Sequence, residues 1–92
     1  MHLTILTPEQ KVFDGEIISV TLPGSHEKGA FQILSKHAPI VSSLTPGKLV
    51  VKKVDGEILN FQVRSGFVEA NNNEISVLVE AVNGKYTPDD ID

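Results

Sequence analysis

A chain of 92 residues, 40% of them hydrophobic and carrying a formal net charge of −4, is the size of one domain. It has no cysteine, which excludes a disulfide scaffold, thiol catalysis and thiolate-held metals; with no basic stripe and no tryptophan it offers nothing to nucleic acid. The longest aliphatic runs, Leu49-Val50-Val51 and Val77-Leu78-Val79, fall far short of the roughly 18 apolar residues of a membrane span, and no apolar stretch follows Met1 in the manner of a secretory signal.

Leu3-Thr4-Ile5-Leu6 predicts a short strand that stops at Thr7-Pro8, because Pro8 has no N–H to donate to a ladder. Lys11-Val12-Phe13 resumes extended structure. Asp14-Gly15 reads as a tight turn, since both residues tolerate positive φ. From Glu16 to Leu22 the sequence alternates, which sets Ile18, Val20 and Leu22 toward the core and Ile17, Ser19 and Thr21 away from it. A polar loop from Pro23 to Gly29 follows.

Phe31 and Ile33, with Leu34 beside them, predict another short strand. Ser35-Lys36-His37-Ala38-Pro39 is a stiff polar corner, for Pro39 fixes its own φ and pushes Ala38 extended. Ile40 to Leu44 leaves that corner as a strand, and Thr45-Pro46-Gly47 turns it. Leu49 and Val51 lead a strand that ends at Asp55-Gly56, read as a two-residue hairpin connection. In the next strand, Ile58 to Arg64, Leu59, Phe61 and Val63 face the core. Ser65-Gly66 bends the chain, Phe67-Val68-Glu69-Ala70 continues it, and Asn71-Asn72-Asn73 turns it. Ile75, Val77 and Val79 then alternate with Ser76, Leu78 and Glu80. No window has helical period. The pattern is all-β: short strands, antiparallel by their turns, in a sandwich or small barrel.

Charge divides the chain. Residues 1–79 hold eight acids and seven bases, whereas Glu80, Asp89, Asp90 and Asp92 face only Lys85. A β domain over 1–82 followed by an acidic tail over 83–92 is the expected organisation.

Catalytic and ligand-binding patterns are weak. His2, His26 and His37 are too widely spaced to share a face, although Asp14, Glu16 and Glu27 are carboxylates that could join them. Neither Ser65-Gly66-Phe67 nor Ser25-His26-Glu27 has the strand–elbow–helix setting of a nucleophile. No glycine precedes a Lys-Ser or Lys-Thr pair, so no phosphate cradle is read. Lys48, Lys52 and Lys53 form a solvated strand face or guard an edge strand. No metal, cofactor or catalytic set is expected.

Several segments together carry a resemblance. Met1-His2-Leu3-Thr4-Ile5-Leu6-Thr7-Pro8-Glu9, Val12-Phe13-Asp14-Gly15-Glu16 and Val20-Thr21-Leu22-Pro23-Gly24 occur in order. So do Gly29-Ala30-Phe31-Gln32-Ile33-Leu34, His37-Ala38-Pro39-Ile40, Ser65-Gly66-Phe67-Val68-Glu69 and Val77-Leu78-Val79-Glu80. Over residues 2–80 this resembles the epsilon subunits of F-type, rotary ATP synthases. The resemblance implies an antiparallel β-sandwich of about ten short strands in the rotating central stalk, on the cytoplasmic face of the bacterial inner membrane and attached only through its complex. It implies a non-catalytic subunit that links the gamma subunit to the c-ring and couples proton-driven rotation to ATP synthesis.

By position, the resemblance puts gamma contacts at Thr7, His37 and Ser42, and contacts with the polar loops of the c-ring at Glu27, Lys28, Gly29, Ala30 and Phe31. Many members carry a carboxylate where Ala30 stands, a glycine where Gln32 stands and Pro-Gly where Ser35-Lys36 stands, which moves the ring contact toward Glu27 or Lys28. Many also continue into a helical hairpin that binds ATP or inhibits hydrolysis. Here Thr87-Pro88-Asp89-Asp90-Ile91-Asp92 reads as a helix start, with Thr87 as N-cap and Pro88 at N1, and a naturally short form and a truncated one both fit. No ATP site and no hairpin inhibition are expected of these residues. The competing reading is a free-standing sandwich that binds a small ligand or carbohydrate; the shortage of exposed aromatics weighs against it. A rotor subunit should instead expose an apolar patch, for which Ile40 and Val41, or Ile17 and Ile58, are the candidates.

Overall fold

The computed structural model describes residues 1–24 and 29–83. The expected ring-contact residues Glu27 and Lys28 and the expected acidic tail from Gly84 onward lie outside the described residues. Nine strands are present among the described residues: β1 (His2–Leu6), β2 (Lys11–Pro23), β3 (Ala30–Leu34), β4 (Ile40–Leu44), β5 (Gly47–Lys53), β6 (Ile58–Val63), β7 (Gly66–Asn71), β8 (Glu74–Val79) and β9 (Val82–Asn83).

The strand that closes the fold is β2. Its 13 residues would reach roughly 40 Å if straight, at about 3.3 Å per residue. The longest extent of the Cα trace is 31 Å, so β2 must bend. It does so where its register with β5 shifts, between Ile17 and Ser19. Before the bend β2 pairs with β1; after it, with β3 and β5. Two layers result. The first runs β4-β7-β8-β1-β2, the second β3-β2-β5-β6-β9, and β2 belongs to both. Counting β2 twice gives ten strands among the described residues, the number the resemblance implies.

This bend corrects two expectations. Asp14-Gly15 is not a turn but the middle of β2, paired with Thr4 and Leu3. A glycine is weak in a strand because it packs nothing; here the Phe13 ring covers the site, 3.3 Å from where a Cβ would stand. The bend also inverts the alternation. Ile17 is buried (4% exposed) and Ile18, the bulged residue, is 43% exposed, while Val20 and Leu22 return to the core. A strict period of two across Glu16 to Leu22 therefore places both isoleucines on the wrong side.

Elsewhere the periodicity holds. Leu59, Phe61 and Val63 on β6, and Ile75, Val77 and Val79 on β8, are buried between the layers. The β7–β8 turn uses Asn72 and Asn73 at φ 52° and 62°, the conformation a two-residue hairpin loop demands and asparagine tolerates. The β5–β6 connection has four residues, Val54, Asp55, Gly56 and Glu57, rather than two. Gly56 donates to the Lys53 carbonyl at 2.9 Å and adopts φ 94°, while Lys53 and Glu57 close the loop through backbone and side chains. One neighbour pair is parallel, β1 with β8; nothing local encodes it, since its crossover is nearly the whole domain. Lys48 and Lys52 lie on β5, which has β2 and β6 on either side, so they face solvent but guard no edge.

Candidate functional site

Register fixes what the outer face of the first layer presents. Ser43 is opposite Phe67, Phe67 opposite Leu78, and Leu78 opposite Leu6. Residues at these positions point away from the core, since Leu3, Ile5, Val68 and Val77 between them are fully buried. An apolar row therefore crosses three adjacent strands. Phe67 is 54% exposed and Leu78 44%. Leu6, Phe67 and Leu78 line a groove of about 750 Å³, rimmed by Thr7, Ser43 and Glu80. Val41, at 78% exposure, continues the apolar surface onto the edge strand β4. Packed hydrocarbon left in water on one face is the mark of a surface that meets a partner.

The patch residues expected from the sequence are exposed only in part. Ile17 is core and Ile40 half-buried. Val41 was named correctly; Ile58 is only marginally exposed and lies on the other layer. The usable signal was in Phe67 and Leu78, which occupy the outward positions of strands whose inward residues are already apolar.

The two outer faces differ in charge. Asp14, Glu16, Glu69 and Glu74 project from the first layer, with His2 among them. On the second, the outward strand positions among the described residues carry Lys48 and Lys52 and no carboxylate. A partner on the apolar row meets an acidic surround, and one on the opposite face a basic surround.

On the acidic face, His2 bridges two carboxylates of the neighbouring strand. Its Nδ1 lies 3.0 Å from Glu16 Oε2 and its Nε2 bonds Asp14 Oδ1. Lys11 Nζ holds the other oxygen of Asp14 at 2.9 Å. The bond to Glu16, then that to Asp14, raises the His2 pKa above its ordinary value. Lys11 and then His2 lower Asp14; His2 chiefly lowers Glu16. The two carboxylates approach opposite sides of one ring, so they do not converge on a common point. Among the described residues no group of three or more such side chains is arranged to hold a metal ion.

The expected contact residues fall in different places. Thr7 sits on the groove rim and organises its own turn: its hydroxyl accepts from the Glu9 and Gln10 amides, each at 3.2 Å. Ser42 is half-buried on β4, opposite Val68 and so turned inward, and donates to the Ser43 carbonyl at 3.1 Å. His37 lies beyond the far end of β4 from the groove. Its Nδ1 donates to the Ala38 carbonyl at 3.0 Å, which leaves Nε2 as an acceptor; that atom is buried and has no partner.

Thr7 and His37 therefore stand at opposite ends of the sandwich. Gly29, Ala30 and Phe31 belong to the groove end. Gly29 has φ 70° and its carbonyl accepts from the Gly24 amide at 3.0 Å; Ala30 is exposed and Phe31 half-buried over Gly24. Thr45, beside the groove, ties this loop down by donating from its hydroxyl to the Gly24 carbonyl at 2.6 Å.

Comparison with known proteins connects this chain to a family. The family described as ATP synthase, Delta/Epsilon chain, beta-sandwich domain matches residues 1–84. The ATP synthase epsilon chain of Protochlamydia amoebophila is 36% identical over 80 residues, which are 87% of this chain and 53% of that one. The chain thus spans about half the length of that relative. The ATP synthase epsilon chain of Chlorobaculum tepidum is 40% identical over 80 residues, with 87% of this chain and 89% of that one covered. A chain in the cryo-EM structure of the Euglena gracilis mitochondrial ATP synthase (OSCP/F1/c-ring) shares the fold, with a TM-score of 0.79, 22% identity, and coverage of 98% of this chain and 54% of that one. Matched along nearly all of its length in sequence and in fold, this chain belongs to the ATP synthase delta/epsilon family and forms its β-sandwich domain.

Proposed function

We propose that this chain is a non-catalytic subunit of the central stalk of a proton-translocating F-type ATP synthase, one that links the gamma subunit to the c-ring and couples proton-driven rotation to ATP synthesis. Family membership supports the complex; the observation that carries the mode of action is the uncovered apolar row Leu6–Leu78–Phe67. A rotor part needs a stiff body and a broad hold on its neighbour. Two layers joined through β2 supply the stiffness. The acidic first face, with the groove at its centre, supplies the hold for gamma, which seats apolar side chains between Phe67 and Leu78 and basic ones around them. Thr7 lies on the rim of that interface, Ser42 on its edge strand, and the His37 corner bounds it at the far end of that strand.

The loop Glu27, Lys28, Gly29, Ala30, Phe31 meets the polar loops of the c-ring from the same end. The chain is then peripheral, at the cytoplasmic face of a bacterial inner membrane, and held there by the complex; no helix among the described residues is long and apolar enough to cross a membrane. Stable association requires roughly 800 Å² from each partner, more than the groove alone offers, so the flanking strands β4 and β7 take part.

Co-purification with a cognate gamma subunit tests this. The wild type forms a stoichiometric complex, Phe67→Arg loses it, and the double variant His37→Ala, Ser42→Arg weakens it. A complex that Phe67→Arg leaves intact moves gamma to another face. No complex between folded partners sets the stalk role aside in favour of a free-standing ligand-binding sandwich.

A further inference from the structure

We infer that His2, Asp14 and Glu16 form a pH-sensitive latch, which holds the N-terminal half of β2 against β1 while the imidazole is protonated and releases it when the proton leaves. The stereochemistry requires the charged ring. Both ring nitrogens face carboxylate oxygens of different residues. An ionised carboxylate only accepts, and a neutral imidazole has one N–H. Only the imidazolium satisfies both contacts; the neutral ring turns a lone pair toward one carboxylate.

The surroundings make the proton matter. From β2 come Asp14, Glu16 and Lys11; from β8 comes Glu74, the register partner of His2; and the N-terminal amine lies 3.4 Å from Glu16 Oε1. With His2 charged, these groups balance. With His2 neutral, one carboxylate charge is left over at the sheet edge.

The latch sits at an edge of the fold. Among the described residues, 11–16 of β2 have β1 on one side and no strand on the other. A one-sided ladder opens locally far more readily than the core strands do. The side-chain bridge from β1 to Asp14 and Glu16 is the reinforcement at that edge, and its strength follows pH through the range in which histidine titrates.

The experiment is amide hydrogen exchange of the whole chain from about pH 5 through the complete His2 titration, with the His2 ring followed by NMR in the same samples. The latch predicts that His2 titrates above 6.5 and that protection of the amides of residues 11–16 falls over the same interval. Linkage makes this quantitative: the fall in log protection equals the displacement of the His2 pKa from its value in the opened state. His2→Gln gives low protection without the step. Asp14→Asn with Glu16→Gln returns His2 to its ordinary pKa and also removes the step. A step that survives in His2→Gln belongs to another group and overturns the latch. Protection that stays constant through the His2 titration overturns it as well.

Discussion

Replacing Gly66 with alanine strikes a close contact between two strands beneath the groove. A Cβ at Gly66 would stand 1.9 Å from the Leu78 carbonyl oxygen and 2.7 Å from Val79 Cα. Both are backbone atoms, so no side-chain rotation relieves the clash. Restoring a separation of 3.0 Å requires β7 to move about 1 Å away from β8. That shift stretches the ladder where Gly66 faces Val79 and Phe67 faces Leu78. Losing one or two backbone hydrogen bonds costs about 1 kcal/mol each, and the overpacking that forces the two strands apart adds about 1–3 kcal/mol. The expected loss is therefore about 2–5 kcal/mol, a large share of the roughly 5–15 kcal/mol that holds such a domain. Urea unfolding followed by far-ultraviolet circular dichroism measures it; with a slope of about 1 kcal/mol per molar, the midpoint drops by about 2 M or more. Gly56→Ala is the control. Nothing lies within 4 Å of its Cβ, but its φ is 94°, so its loss is about 1 kcal/mol and purely conformational. If Gly66→Ala unfolds within about 0.5 kcal/mol of wild type, the close approach of β7 and β8 is wrong.

Three further predictions rest on the same geometry. Ile18→Lys leaves urea stability within about 0.5 kcal/mol of wild type, whereas Ile17→Lys buries an unpaired charge and costs more than about 3 kcal/mol; the reverse ranking would restore strict alternation and contradict the bend in β2. Asn73→Val forces a β-branched residue to φ 62° and lowers the thermal midpoint by the equivalent of about 1–3 kcal/mol; an unchanged midpoint would mean that the turn has another conformation. The His2 pKa is raised, so its contribution to stability is full below 6.5 and disappears as pH rises through the raised value. Those of Asp14 and Glu16 are lowered, so their contributions are full above 3.8 and 4.5 and disappear as pH falls through the lowered values. The stability difference between wild type and His2→Gln accordingly peaks between 4.5 and 6.5; a difference that keeps growing toward alkaline pH contradicts the ion-paired geometry.

What the sequence disclosed follows from what is local. On β6 and β8 each residue's direction depends only on period two, so Leu59, Phe61, Val63, Ile75, Val77 and Val79 were legible as core. The asparagine run was legible because turn chemistry lies in the turn itself. Asp14-Gly15 misled because a turn signature also fits a strand that meets partners, and its partners Leu3 and Thr4 are ten or more residues away. Ile17 and Ile18 exchanged places because a bulge changes parity without leaving a signature in either isoleucine. The apolar row was hidden for a related reason. Leu6, Phe67 and Leu78 become neighbours only once β1 lies beside β8, and that parallel pairing joins the two ends of the chain. His2 was set aside for its spacing, yet a cross-strand pair brings it onto two carboxylates that were already suspected.

The central claim is that the first layer is the face by which this chain joins the stalk. Amide exchange measured on the chain alone and in complex with its cognate gamma subunit tests it most directly. The account predicts new protection at Gly66–Phe67, Leu78 and Leu6, with the β5 and β6 amides of the second layer unchanged. Protection confined to the second layer, around Lys48 and Lys52, would contradict it.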